Sequence, residues 1–405
     1  MLKPIRRDFQ VSFTYATLFT HNLFAIENPT LSDVIEGEKK RVLFVVDSEV
    51  ARHNPHLNAA ITRYCNHHHT KMHMASAPIV VPGGEQVKNT ETHVDTLRKA
   101  VNDYGIDRHA YIVAIGGGAV LDMAGFAAAT AHRGIRIIRV PTTVLAQNDA
   151  GVGVKNSINA FGKKNFLGTF APPVAVINDF NFLETLEHRD WMAGVSEAIK
   201  VALLKDPAFF DYIHVHAEEI KQREMTPMEW LVYRCAELHT EHIATNGDPF
   251  EMGSSRPLDF GHWAAHKMEQ LSNYAIRHGE AVAVGLALDV TYSYKLGMLP
   301  EADWRKVLLT FQKLGMAIYA EELDMVNEDG QRHVFAGLKE FQEHLGGQLT
   351  IMLLEGIGTG VEVHHIDLDV MAESIAMLKE WERTPQRGLP TAGAEKIFAG
   401  APSGD

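Results

Sequence analysis

Tyr111 to Thr130, YIVAIGGGAVLDMAGFAAAT, runs from β-branched residues through three glycines into an apolar stretch of small residues. A buried strand, a tight turn and a helix pressed closely on a sheet satisfy that order together, which places the chain in the α/β class. Gly116, Gly117 and Gly118 let backbone N–H groups approach an anion at the helix N-terminus, where the dipole favours negative charge. The same residues also read as a purely structural turn, because they do not form G-x-G-x-x-G. RVLFVVD (Arg41 to Asp47) and IRIIRVPTT (Ile135 to Thr143) are further buried-strand runs with polar residues at their carboxyl ends, where open α/β sheets bind ligands.

With a helix expected over Thr90 to Tyr104, strands alternate with helices to about residue 180, implying a parallel sheet covered on both faces. From Trp191 the pattern is helical nearly throughout, apart from the apolar LTIMLL near Leu349. The expected division falls between Leu186 and Asp190. It gives an α/β Rossmann-like domain over residues 1–187 and an all-α or mainly helical domain over 188–405. Phe9 to Ala25 alternates with the period of a half-buried strand or hairpin. His67, His68 and His69 read as a solvated loop, and the Gly/Pro/Ala-rich tail from Gly388 as loosely held.

A net charge of −13 argues against a general nucleic-acid binder. Two cysteines far apart in 405 residues argue against a disulfide framework and make a reducing cytoplasm the expectation. MLKPIRRDFQ leads into alternating residues rather than an apolar block, so it does not read as a secretory signal, and no window suits a membrane span.

The second informative stretch is Leu258 to Val284, LDFGHWAAHKMEQLSNYAIRHGEAVAV. His262 and His266 lie one helical turn apart, and His278 opens the next helix. Imidazole is the commonest ligand for a transition metal, and catalytic zinc takes three protein ligands. Glu197, in SEAIK, is the expected source of the remaining donor. The plain alternative is a set of core or surface histidines in a chain rich in them.

Together these pieces resemble the 3-dehydroquinate synthase family and, more broadly, the sugar phosphate cyclases. The matching motifs are GGEQVK (Gly83 to Lys88), GGGAVLDMAGF, HRG (His132 to Gly134), PTTVLAQND, GVGVKN, GKKN (Gly162 to Asn165), SEAIK, DFGHWAAH and HGEAV. They follow the family's order over roughly residues 40–290. The resemblance implies a Rossmann-like domain and a helical domain with the active site between them. It implies Glu197, His262 and His278 as ligands of zinc, or of cobalt or another divalent ion. It implies NAD at Asp47, Glu85, Lys88, Gly116, Gly117, Gly118, Asp122, Thr142, Thr143, Lys164, Phe182 and Thr185. Asp149, Lys155, Asn165, Lys200, Asp259 and His266 would line a sugar phosphate, with Lys155 counted at the cofactor too. Arg133 would reach in from a neighbouring subunit, which implies a homodimer. The family's reaction oxidises a ring hydroxyl, eliminates phosphate, reduces the ketone again and closes a carbocycle by an aldol step.

The chain departs from the family at the substrate carboxylate. CAELH puts His239 where 3-dehydroquinate synthases carry a lysine; SSRPLDFGH brings Arg256 one residue closer and replaces Asn with Asp259. No D-K-K motif stands around Glu340 to Gly347. An acidic residue disfavours a substrate anion and favours a hydroxyl, so a substrate without that carboxylate is expected. Within the family, Asp at this position resembles the branch of cyclases that use sedoheptulose 7-phosphate, and the resemblance implies a substrate of that type. FTHNLFAIENPTL (Phe19 to Leu31) also looks like that branch, whereas His266 is kept as in 3-dehydroquinate synthases. The alternatives are a 3-dehydroquinate synthase holding its carboxylate with the shifted Arg256, a polyol dehydrogenase of similar architecture, and a non-catalytic relative. Lys155, Lys164 and Arg133, a phosphate-binding set, speak against the dehydrogenase; intact Glu197, His262, His278, Lys155 and Lys200 speak against the last.

Overall fold

The computed structural model describes residues 4–161, 163–245, 248–250, 257–344 and 347–383; Gly162, Arg256 and the tail from Gly388 lie outside them. In chain order the first strands are β1 (Ala16–Thr20), β2 (Lys40–Asp47), β3 (Met72–Met74), β4 (Ile79–Val81), β5 (Tyr111–Gly116) and β6 (Arg136–Pro141). A hairpin, β7 (Lys155–Ala160) and β8 (Lys163–Phe170), precedes β9 (Ala175–Asp179). Among the described residues one parallel sheet runs β1-β9-β6-β5-β2-β3, with β4 also on β2.

The period of two within each central strand divides its side chains between two cores. Leu43, Val45, Ile112, Ala114 and Ile137 enter one. Val42, Phe44, Val46, Val113, Ile115 and Ile138 enter the other. From β2 the chain moves outward to β3 and β4, and from β5 it moves the opposite way to β6 and β9. The carboxyl ends of β2 and β5 therefore diverge at a topological switch point, carrying Asp47 and Gly116.

Four expectations change. Phe9 to Ala25 is not a hairpin: only Ala16–Thr20 is a strand, on the edge beside β9, while Phe9, Val11 and Phe13 are exposed. The residues before β1 have no neighbouring strand, so their alternation has no face to bury. The β7–β8 hairpin interrupts the strand–helix alternation and packs on the helix Gly118–Thr130. Its approach depends on Gly125, where a Cβ would stand 1.7 Å from Asn156 Oδ1.

From His188 the described chain is helical except for an antiparallel hairpin, β10 (Ile351–Gly356) and β11 (Thr359–Val363), so this half is not all-α. IMLL is buried along its whole length against the helix His278–Lys295, a run too short and too apolar to form an amphipathic helix. His67 ends the helix Leu57–His67, and His68 and His69 form the turn that follows. The helix His278–Lys295 is buried on all sides over Ala281 to Ser293, as a central core helix must be. Cys65 and Cys235 are buried and free, and no helix of the described residues is long and apolar enough to cross a membrane.

Candidate active site

A cavity of about 1040 Å³ opens where β2 and β5 diverge. Its sheet-side wall carries Asp47, Glu85, Gly117, Gly118, Thr142, Thr143, Lys164, Phe182 and Thr185, and its far wall carries Glu269 and His278. Gly117 caps the helix Gly118–Thr130 without a side-chain bond, so the first-turn amides are left for an anion. Gly116 is not part of the lining but sets the wall's spacing: a Cβ there would meet Asp47 Cβ and Val120 Cβ at 3.0 Å. Lys88 and Asp122 are also outside the lining. Buried Lys88 pairs with Asp122 at 2.7 Å and with the Asn165 carboxamide oxygen, which also accepts from Ser157 Oγ at 2.8 Å. Lys155 is exposed on β7. Thr143 Oγ1 accepts from Ala146 N, whereas the buried Thr142 hydroxyl has no hydrogen-bond partner.

Three close helix contacts assemble the opposite wall. Gly261, at φ 76, precedes His262, and a Cβ there would lie 2.8 Å from Leu286 N. A Cβ on Gly285 would lie 2.0 Å from Gly261 O, and one on Gly279 would lie 2.1 Å from Ala193 O. Those glycines seat the helix His278–Lys295 against the start of His262–Leu271 and against Ala193, just before the helix Val195–Lys205, where Glu197, His262 and His278 meet. His262 Nδ1–H donates to Phe260 O at 2.9 Å, turning Nε2 toward Glu197 Oε1 at 3.6 Å. His278 Nε2 stands 3.3 Å from the same oxygen.

These distances fit a shared ion. Two ligands at ~2.0–2.1 Å from a tetrahedral zinc are about 3.3–3.4 Å apart. Glu197 Oε1 is fully buried with the two imidazole nitrogens before it, so it calls for a cation there, a metal ion or, without one, a protonated His278. Burial pushes the Glu197 carboxyl up, but Lys200, His262 and His278 outweigh it and hold it well below the usual range. An oxygen and two imidazole nitrogens suit zinc or cobalt better than magnesium or calcium. His266 is exposed, its ring stacked 5.9 Å from that of His278.

Behind the ligands lies a charged corner. Lys200 Nζ pairs with Glu197 Oε2 at 2.6 Å and lies 3.9 Å from Asp149 Oδ1, which is 3.0 Å from His239 Nδ1. Burial opposes the Asp149 charge, yet Lys200 and His239 hold its pKa down to about 2. Burial likewise opposes the Lys200 charge, but Glu197, Asp149 and Asp259 together raise its pKa. Expected substrate residues Asp149, Lys200, His239 and Asp259 thus share one neighbourhood. Arg133 is exposed, at φ 64, and is not part of the cavity lining.

Sequence reasoning missed several supports. Buried Arg139 donates to Gly151 O, Gly153 O, Lys155 O and Asn156 Oδ1, fixing the loop between Asp149 and Lys155. Its signal was an arginine inside an apolar strand. Asp289 accepts from Gly261 N and Trp263 Nε1, anchoring the start of the His262 helix. Glu269 is buried, pairs with Lys164 at 2.9 Å, and faces His278 Nδ1 at 3.3 Å. It follows His262 and His266 at helical spacing, a pattern legible without coordinates.

A parallel sheet whose switch point opens on a carboxylate–imidazole cluster defines a class of two-part enzymes working in the cleft between sheet and helices. Residues 78–193 match the 3-dehydroquinate synthase N-terminal family model, and residues 194–333 match the 3-dehydroquinate synthase C-terminal one. A 3-dehydroquinate synthase of Nitrosospira multiformis is 38% identical over 286 residues, 70% of this chain and 76% of that protein. The structure of a 2-epi-5-epi-valiolone synthase from Streptomyces hygroscopicus, with NAD+ and Zn2+ bound, is 28% identical. It covers 93% of this chain and 100% of its own, with a TM-score of 0.81. A 2-deoxy-scyllo-inosose synthase complexed with carbaglucose-6-phosphate, NAD+ and Co2+ shares the fold at 23% identity, with a TM-score of 0.72, covering 89% of this chain and 95% of that one. The chain belongs to the 3-dehydroquinate synthase family of sugar phosphate cyclases, enzymes of the carbon–oxygen lyase type.

Proposed function

We propose that this enzyme is an NAD- and zinc-dependent cyclase acting on a heptulose phosphate of the sedoheptulose 7-phosphate type to give a cyclitol ketone. The observation that carries the substrate choice is the composition of the charged corner. Three carboxylates, Glu197, Asp149 and Asp259, act on the single ammonium of Lys200. Asp149 also engages His239. With Glu197 given to the ion, what sets this corner apart is Asp259 beside Lys200 and His239 on Asp149, where 3-dehydroquinate synthases carry an asparagine and a lysine. A substrate carboxylate would meet an added negative charge and one lysine fewer, whereas a hydroxyl could donate to Asp259.

Zinc, held by Glu197, His262 and His278, and NAD, lying along Asp47, Gly117 and Gly118, would supply the acidified hydroxyl and the reversible oxidation. The rest falls to the chain. Lys200, fixed between Glu197 and Asp149, keeps its ammonium aimed at the substrate oxygens. With its carboxamide oxygen engaged by Lys88 and Ser157, Asn165 would turn its amide nitrogen to the phosphate, beside Lys155 and His266. In a homodimer, exposed Arg133 would complete that phosphate site from the neighbouring subunit. The division near residue 188 separates a nucleotide-holding domain from a metal-holding one.

A second reading, 3-dehydroquinate synthase activity on the carboxylated seven-carbon shikimate precursor, is favoured by the 38% identity to an enzyme of that name. Incubation with each sugar phosphate, following inorganic phosphate and identifying products by NMR, separates the two. Phosphate release from sedoheptulose 7-phosphate without net NADH is expected; turnover of only the carboxylated precursor would install the second reading, and steady NADH accumulation would sink both.

A further inference from the structure

Buried carboxylates need partners, and those of Glu269 come from two parts of the molecule. Its side chain is only 5% exposed. Oε1 accepts from Lys164 Nζ on β8 at 2.9 Å, and Oε2 lies 3.3 Å from His278 Nδ1 on the next helix. The Lys164 ammonium also lies 5.2 Å from the centre of the Tyr274 ring, in the turn between the two histidine helices. The β7–β8 hairpin, which carries Lys155 and Asn165, is thus tied across the cleft to the histidine cluster.

We propose that Glu269 is a positioning residue that couples the zinc seat to closure of the β7–β8 hairpin over the cavity. A ligand imidazole presents one nitrogen's lone pair to the ion only if its other nitrogen keeps the proton, and the acceptor of that proton sets the tautomer and ring angle. For His262 the acceptor is the Phe260 carbonyl; for His278 it is Glu269. The same carboxylate holds the hairpin through Lys164, so an ion that orders His278 also orders the acceptor that grips the lysine. Coupling of this kind is reciprocal. His266, Glu269 and His278 could also gather a cation of their own. Against that, the lysine ammonium already stands on one Glu269 oxygen.

This inference rests on the zinc reading above, and its test keeps the two apart. In the full-length protein, zinc affinity is measured by competition with a chelator, and trypsin cleavage after Lys163 at the hairpin tip is followed with and without zinc. E269A should weaken zinc binding about 10–100-fold, the usual cost of removing a ligand's acceptor. E269Q, which keeps an acceptor for Nδ1, should recover most of the affinity. Zinc should slow cleavage after Lys163 in the wild type but not in E269A or K164M. Should E269A fail to fold, E269Q and K164M carry the test, because both abolish the ion pair and should lose zinc-dependent protection. Unchanged affinity in folded E269A, undiminished protection in K164M, or two zinc ions per wild-type chain would each overturn the coupling while leaving the zinc reading standing. A wild-type protein that binds no zinc would remove both.

Discussion

On the sheet side of the cleft, what Gly117 and Gly118 present to the cavity is backbone; on the helical side, His278 and Glu269 present ring nitrogens and carboxylate oxygens. The sheet wall works because atoms are missing. A Cβ on Gly83 would stand 2.4 Å from Asp47 Oδ1, and one on Gly116 would reach Asp47 and Val120. The helical wall works because particular heteroatoms converge, Glu197 Oε1 taking two imidazole nitrogens within 3.6 Å. A ligand held by backbone tolerates many side-chain changes but little added bulk. A ligand held by side chains is lost with one atom, provided the glycines behind them still let the helices meet.

The largest effect should follow from Glu197→Ala. It deletes the shared oxygen and leaves buried Lys200 without its 2.6 Å partner, a loss that costs about 3–5 kcal/mol when a buried charge is stranded. Metal analysis should find no bound zinc, phosphate release should vanish, and the denaturant midpoint should fall, while NAD affinity by calorimetry changes little. Equal loss of NAD affinity would break the distinction between the walls. The converse, smaller effect is expected of Gly83→Ala. Displacing Asp47 from the cavity should cost one charge-assisted hydrogen bond, about 1.5 kcal/mol or roughly tenfold in NAD affinity, with zinc content intact. Zinc lost in this variant would mean that the sheet wall also builds the metal seat.

The same contrast explains what could be read before any coordinates. Glu197, His262 and His278 carry donor atoms of metal-ligand type, two of them at the starts of neighbouring helices, so their chemistry shows in the residue types themselves. Gly116 to Gly118 announce a turn, but only the switch point between β2 and β5 says which ligand-facing end they occupy. Gly279 and Gly285 were unreadable, because their use is a tertiary approach of backbones. The β7–β8 hairpin escaped for a related reason. KNSINA has neither a continuous apolar run nor a clean alternation, and its packing depends on the groove left by Gly125. Asp259 and His239 were legible as departures, but their meeting at Lys200, Asp259 acting on it directly and His239 through Asp149, emerges only when the segments come together.

The mildest test uses protons in place of the metal. Burial works against a charged His278, but Glu197 and Glu269 on either side overcome it and push its pKa up to about 10, from an ordinary 6.5. A histidine whose folded pKa is raised stabilises fully below its unfolded value and loses that contribution as pH climbs through the folded one. Metal-free protein should therefore lose stability between pH 6.5 and about 10. The loss should be on the order of 1 kcal/mol, because solvent at the partly exposed ring screens the pair. His278→Asn should flatten that slope, and Gly83→Ala should leave it as it was. Zinc should flatten it as well, since the ion replaces the proton between His278 and Glu197 and needs the neutral ring. Thermal midpoints across this pH range, with chelator and with zinc, read all three. A slope that survives His278→Asn would move the titration elsewhere and leave the helical wall without its proposed exchange of proton for metal.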